Sequence, residues 1–227
     1  MVTTLFVLAA VTAAAPIPHA VALERYITAQ TMHVEEPGGT LVEMNASLPK
    51  LGKSGRLRAI LHRAPDHNLK FEVLLVEGDS TVKHEVIARY LTAQIRAEEI
   101  PASSIAVTPE NYRFRYAGSI GTAGKLSYIF EIKPKKKRPG LIEGHLWIDG
   151  TTGLAVHQDG HLVKSPSVFI RRVQISRTIE NRDGVPYMRT THLDIDTRLV
   201  GHAVLTIEER SDDGRERVDL TEMGGER

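Results

Sequence analysis

Hydrophobic and polar residues alternate through most of this chain beyond residue 112. Between Leu126 and Gly153, LSYIFEIK runs into KPKKKRPG and returns as LIEGHLWIDGTTG. Leu126, Tyr128, Phe130 and Ile132 fall on one side of the pattern, and Ser127, Glu131 and Lys133 on the other. A period of two marks a strand with one buried face, because successive side chains point to opposite sides of the pleat. Pro134, Pro139 and Gly140 punctuate the link, since proline fixes φ and lacks a donor while glycine admits positive φ. The second arm carries Leu146, Trp147 and Ile148 and ends at Asp149-Gly150-Thr151-Thr152-Gly153, a second tight turn. The spacing predicts a long antiparallel hairpin inside a meander.

The same signal predicts strands at 112–116, 154–157, 160–163, 168–179, 186–199 and 202–210, with Gln158-Asp159 separating the second and third. Upstream, strands are expected at 41–48, 57–62 and 69–76, the last two joined by the turn cluster 64–68. Residues 24–35 fit either a first strand or a short helix, and their Thr and Val content favours the strand. One helix stands out, over 81–97. Ser80 is its expected N-cap, and Val82, Val86, Ile87, Tyr90, Leu91 and Ile95 recur at steps of three and four opposite a polar face. Residues 98–110, with Pro101 and Pro109, read as a linker.

Consecutive strands with short links make an antiparallel sheet. A single helix of about 17 residues cannot cover about ten strands. The expected fold is therefore mainly β with α: a long antiparallel meander curled into an unclosed half-barrel with one main covering helix. Such a sheet, incompletely covered, leaves an apolar cavity of the kind that holds ligands. Leu126, Tyr128, Phe130, Ile132, Leu146 and Ile148 are the candidates for cavity or core.

Composition limits the choices further. The chain has 227 residues, a formal net charge of +1 and no cysteine. The charge exerts no global pull on nucleic acid or membrane, and the missing thiols exclude disulfides, thiolate metal sites and a cysteine nucleophile. Leu5 to Ala15 is an apolar run too short to span a bilayer comfortably, and Ala20-Val21-Ala22 supplies a small-residue cleavage site. Residues 1–22 are therefore expected to be a signal peptide, cleaved after Ala22, that directs export to the periplasm. Residues 23–211 would form a single domain, and 212–227 a charged, disordered tail.

No motif builds a catalytic centre. His84-Glu85 begins a zinc-binding helix pattern whose second histidine is replaced by Ala88. Ala117-Gly118-Ser119-Ile120-Gly121 does not fit a nucleophile elbow, and Gly118 to Lys125 does not fit a phosphate loop. His157 and His161 could face each other across a turn at Asp159-Gly160, although a turn needs no metal to explain those residues. Asp194 and Asp196 share a face with Arg198 and read as a solvated surface. No convergent nucleophile, base and oxyanion donor marks an enzyme, and no cofactor is implied. Lys133, Lys135, Lys136, Lys137 and Arg138 gather at one loop tip and make a local field able to meet a headgroup or an acidic partner. They serve equally as a solvated hairpin tip that discourages edge pairing.

The segments Tyr128-Ile129-Phe130-Glu131-Ile132, Gly144-His145-Leu146-Trp147-Ile148-Asp149 and Thr152-Gly153-Leu154 resemble the periplasmic outer-membrane lipoprotein-sorting family, LolA-like, with the sigma-regulator RseB as a relative. The resemblance covers about residues 26–207, and its specific part is W-I-D-x-x-T-G. It implies an unclosed antiparallel barrel whose apolar concave face receives acyl chains. The expected function is a non-enzymatic periplasmic lipid- or lipoprotein-binding protein. Its partners would be acyl chains, together with an envelope protein or an anionic membrane surface, and not nucleic acid. The alternative is a protein-interaction or envelope-stress regulatory module on the same fold.

Overall fold

The computed structural model describes residues 17–32, 39–63, 69–122 and 125–211. The expected tail and most of the expected signal peptide lie outside them. Ten strands form one antiparallel sheet: β1 (Gly39–Leu48), β2 (Lys53–Arg63), β3 (Leu69–Gly78), β4 (Tyr112–Ile120), β5 (Ser127–Pro134), β6 (Ile142–Asp149), β7 (Ala155–Leu162), β8 (Ile170–Arg182), β9 (Val185–Thr197) and β10 (His202–Ser211). Their spatial order is β3-β2-β1-β10-β9-β8-β7-β6-β5-β4, so the strands from β4 to β10 meander and the first three join at β10. β3 and β4 stand at opposite edges, and the sheet does not close into a barrel.

Among the described residues three helices accompany it, besides a 3-10 turn at Pro49–Leu51: α1 (His19–Met32), α2 (residues 80–97) and the single turn α3 (Ala102–Ile105). α2 is the expected main helix, with two local differences. Asp79 rather than Ser80 caps it, its Oδ1 accepting from the amides of Thr81 at 2.8 Å and Val82 at 3.4 Å. Between the first turn, Ser80–Val82, and the last stretch, Arg89–Ala97, residues Lys83–Ala88 are π-helical. The wider turn directs both Val86 and Ile87 to the sheet, beside Val82.

Residues 24–35 do not form the expected strand. α1 occupies 19–32, and Ala22 and Tyr26, one turn apart, are its buried positions. β-propensity misleads here because an i, i+4 pair of core contacts outweighs it. α1 also runs through the Ala22–Leu23 bond at which cleavage was expected. A second difference concerns β7, expected as two pieces around Gln158-Asp159 but continuous from Ala155 to Leu162. Gly144 and Gly160 face each other across β6 and β7. A Cβ on Gly144 would lie 2.0 Å from the carbonyl oxygen of Asp159, so only glycine allows this approach.

Two apolar clusters lie on the face that carries the helices. In the first, Val42, Met44, Leu48, Leu57, Leu205 and Ile207 pack with Val82, Val86 and Ile87 of α2. In the second, Tyr128, Phe130, Ile132, Leu146 and Ile148 pack with Ala22 and Tyr26 of α1. Ile142 belongs to the first cluster and Leu146 to the second, and their even spacing on β6 shows that the clusters share one face.

Candidate functional site

The register assembles one row of ten residues across the whole helix-bearing face. It runs Tyr116, Phe130, Leu146, Gln158, Arg177, Thr191, Ile207, Met44, Leu57 and Val76. Seven of the ten are apolar or aromatic, and a polar triplet interrupts them where the two clusters meet. Arg177 donates through Nη1 to Oε1 of Gln158 and through Nε to Oγ1 of Thr191, each at 3.4 Å. Gln158 and Thr191 are both buried. On the next row, Arg189 and Glu209 pair at 3.5 Å.

A tyrosine from each helix belongs to the same neighbourhood. Tyr26 of α1 lies in one cluster, and Tyr90 of α2 packs on the other. Burial pushes the Tyr90 phenol up to about 12, with the charge of Glu209 adding to the effect, and raises that of Tyr26 further. Desolvation lowers the Arg177 pKa, and the neighbouring charge of Arg189 lowers it more. Each phenol interacts electrostatically with the Arg177 guanidinium.

The hairpin lies where it was expected, and the six candidate residues on it all face α1. Phe130, Ile132, Leu146 and Ile148 are almost fully buried, Tyr128 is buried, and Leu126 is half-buried at the margin. The D-x-x-T-G return has a definite structural task. Asp149 Oδ1 accepts from the amides of Thr151 at 3.0 Å and Thr152 at 2.7 Å and from the Thr152 hydroxyl at 2.8 Å. The turn so fixed is the seat of α1. The amide of Ile17 donates to the Gly150 carbonyl at 2.8 Å, the Tyr128 hydroxyl donates to the Ile17 carbonyl at 2.6 Å, and Arg25 donates to the Thr151 carbonyl at 3.2 Å.

Four of the five cations of the hairpin tip are exposed, and three of the five have partners. Lys133 pairs with Glu143 at 3.2 Å, and Lys135 donates to the Pro109 carbonyl. Arg138 Nη2 donates to Oδ1 of Asn111 at 3.0 Å. Lys136 and Lys137 alone among the five are exposed without such a partner among the described residues.

The opposite face is polar. His157 and His161 lie along one strand and do not meet across a turn; His157 Nδ1 is 3.3 Å from Thr178 Oγ1. His145 contacts Asp159 at 3.1 Å, and Trp147 stands edge-on to both His145 and His157. Asp194, Asp196 and Arg198 are exposed, as expected of a solvated surface, and the two carboxylates flank His202 at 3.3 and 3.2 Å. Glu85 pairs with Arg89 along α2 at 2.8 Å. An open depression of ≈ 510 Å³ lies on this face, lined by Glu131, Glu143, His145, Asp159, His161 and Asp194 among others. Among the described residues no cluster of three or more acidic or histidine side chains could hold a metal ion, and no helix is long and apolar enough to cross a membrane. The residues that alternation could not reveal are Gln158 and Arg177. Each is polar in a strand, and only the register puts them among apolar neighbours.

No protein-family model and no curated protein matches the chain. Among solved structures it is similar to a candidate outer membrane lipoprotein-sorting protein domain from Vibrio parahaemolyticus, at 12% identity and TM-score 0.39, over 89% of this chain and 95% of that one. It is similar to a LolA superfamily protein from Nitrosomonas europaea at 13% identity and TM-score 0.38, over 92% of this chain and 97% of the other. A third is MucB of Pseudomonas aeruginosa in complex with MucA, at 14% identity and TM-score 0.25, over 88% and 96% of the two chains. At these scores the likenesses carry no inference about function.

Proposed function

We propose that this chain is a non-enzymatic binding protein of the bacterial periplasm that holds the acyl part of a lipid or lipoprotein between its helices and the helix-bearing face of its sheet. One observation carries this reading. The helix-bearing face carries two separate apolar clusters, one packed with α1 and one with α2, and the polar triplet Gln158, Arg177 and Thr191 forms the seam where they meet. Chain insertion along such a seam buries CH₂ groups at about 0.8 kcal/mol each, so part of an alkyl chain is enough for useful affinity. The W-I-D-x-x-T-G hairpin supports the same reading, and the apolar run Leu5 to Ala15 supports export. Native mass spectrometry of protein purified from its own cell envelope tests it. The expected result is an adduct in the lipid mass range that organic extraction removes. Apo-protein that also fails to take up a dodecyl-chain amphiphile would end the reading.

A second reading has its own support. Val73, Leu74, Leu75 and Val76 of β3 are 51, 49, 38 and 47% exposed, and β3 has no strand on its outer side among the described residues. An apolar edge with unpaired backbone groups accepts an added strand. Here the occupant would be an extended segment of an envelope protein, and the fold would act as an interaction or regulatory module. Proline at Leu75, which blocks strand addition at the edge, should abolish capture of such a partner in crosslinking from intact envelopes. Undiminished crosslinking by that variant would exclude the β3 edge.

A further inference from the structure

The amide of Gln158 is oriented by Arg177. Its Oε1 accepts from the guanidinium at 3.4 Å, and the reverse orientation would set an NH₂ donor against a guanidinium donor. Nε2 therefore points away from Arg177, and it is buried without an acceptor in a residue only 5% exposed. A donor left in this state is rare inside proteins and calls for an explanation.

Arg177 has a matching deficit. Its two hydrogen bonds go to neutral oxygens, and no carboxylate lies within ion-pair distance of it among the described residues. Glu209, whose charge reaches it, is bonded to Arg189. Two guanidiniums thus share one carboxylate on this face. Tyr26 and Tyr90 stay neutral well above neutral pH and do not supply the missing negative charge. The seam consequently holds surplus donors and one unbalanced positive charge, with apolar rows on both sides.

We propose that Arg177 and Gln158 form a receptor for the carboxylate of a long-chain fatty acid or a similar single-chain amphiphile. One carboxylate balances the charge and accepts from the remaining guanidinium N–H groups and from Gln158 Nε2, while the alkyl chain runs along the boundary where the α1 cluster and the α2 cluster meet. This rests on the acyl-binding reading above and adds the chemistry of the head group. Thr191, held by Arg177 Nε, is a positioning residue that keeps the guanidinium plane across the seam.

Calorimetric titration of the full chain with dodecanoate and with dodecan-1-ol, both below their aggregation limits, separates the two ideas. Wild type should bind dodecanoate at least about tenfold more tightly than dodecanol, the difference expected of hydrogen bonds to a charged group. Arg177→Met should erase that preference without weakening dodecanol binding, and Gln158→Leu should reduce it severalfold. Equal affinity for the two probes, or a preference that survives Arg177→Met, overturns the receptor and leaves acyl binding standing. If neither probe binds, both fall. A measurement on wild type alone guards against variants that do not fold. The carboxyl ¹³C signal of bound dodecanoate should titrate at lower pH than that of the free acid, and titration at the same pH or higher overturns the proposal.

Discussion

Gly153 lies so close to Arg25 that a Cβ on the glycine would stand 2.6 Å from the Cβ of the arginine and 3.2 Å from the carbonyl oxygen of Ala22. Its φ of +77° is also one that other residues rarely adopt. The glycine of the T-G turn is therefore a contact surface for α1 as well as a bend. Gly153→Ala should lower stability in urea unfolding by about 1–3 kcal/mol more than Gly184→Ala, because the second carries only backbone strain. Gly184 has a φ of +85° and nothing within 4 Å of the added methyl. Equal losses would mean that α1 is not held at this point.

The seat of α1 includes residues upstream of the expected cleavage point. Ala22 is 0% exposed, and Ile17 exchanges hydrogen bonds with Gly150 and Tyr128. A chain that starts at Leu23 should be less stable than one that starts at Ile17, by about 2–3 kcal/mol from two hydrogen bonds and one small buried side chain. Thermal melts of the two chains decide it, and coincident melts would show that the segment contributes nothing. The N-terminal residue of envelope-purified protein, read by mass spectrometry, then shows which of the two forms exists.

Phe130 and Leu126 separate packing from binding on the hairpin. Phe130 is 2% exposed within the α1 cluster, and Phe130→Ala should cost about 3–5 kcal/mol of unfolding free energy. Leu126, half-buried at its margin, should cost under about 2 kcal/mol when cut to alanine. Urea titrations that give Phe130→Ala near-native stability would move that residue from the core to a cavity wall.

Tyr90 makes stability sensitive to alkali. Its pKa in the folded chain lies above the ordinary tyrosine value of 10.0, at about 12, with burial the leading cause. The unfolded chain therefore releases this proton first. The contribution is complete below pH about 10 and is lost as pH rises toward about 12, up to about 3 kcal/mol in total. Tyr90→Phe should flatten the fall in Tm across that window. An unchanged slope in the variant would place the alkaline loss elsewhere, with Tyr26 the next residue to test.

Most of the strands were legible because each has one wet and one dry face. β5 and β6 fall within a few residues of the expected arms, and alternation alone identified Tyr128, Phe130, Ile132, Leu146 and Ile148 as the buried set. α1 was legible only as the less favoured of two alternatives, since Tyr26, Ile27 and Thr28 carry strand propensity and its helical signature is only the spacing of Ala22 and Tyr26. The division of β7 at Gln158 failed for a different reason. A buried glutamine looks like a turn residue until the arginine that bonds it is known, and Arg177 is 19 positions away. The partners of the hairpin tip were hidden in the same manner, because Asn111 and Pro109, which bond Arg138 and Lys135, belong to another segment.

The sequence by itself determined which face of each strand is apolar, where the long helix lies and where the turns break, because those properties depend on neighbours a few residues apart. Only the tertiary structure decided that β1 pairs with β10, that α1 joins the main helix α2 on the apolar face, and that Gln158, Arg177 and Thr191 stand side by side at its centre. The physical reason is that alternation fixes the side of the sheet on which a residue lies, whereas its cross-strand neighbour depends on register between segments far apart in the chain.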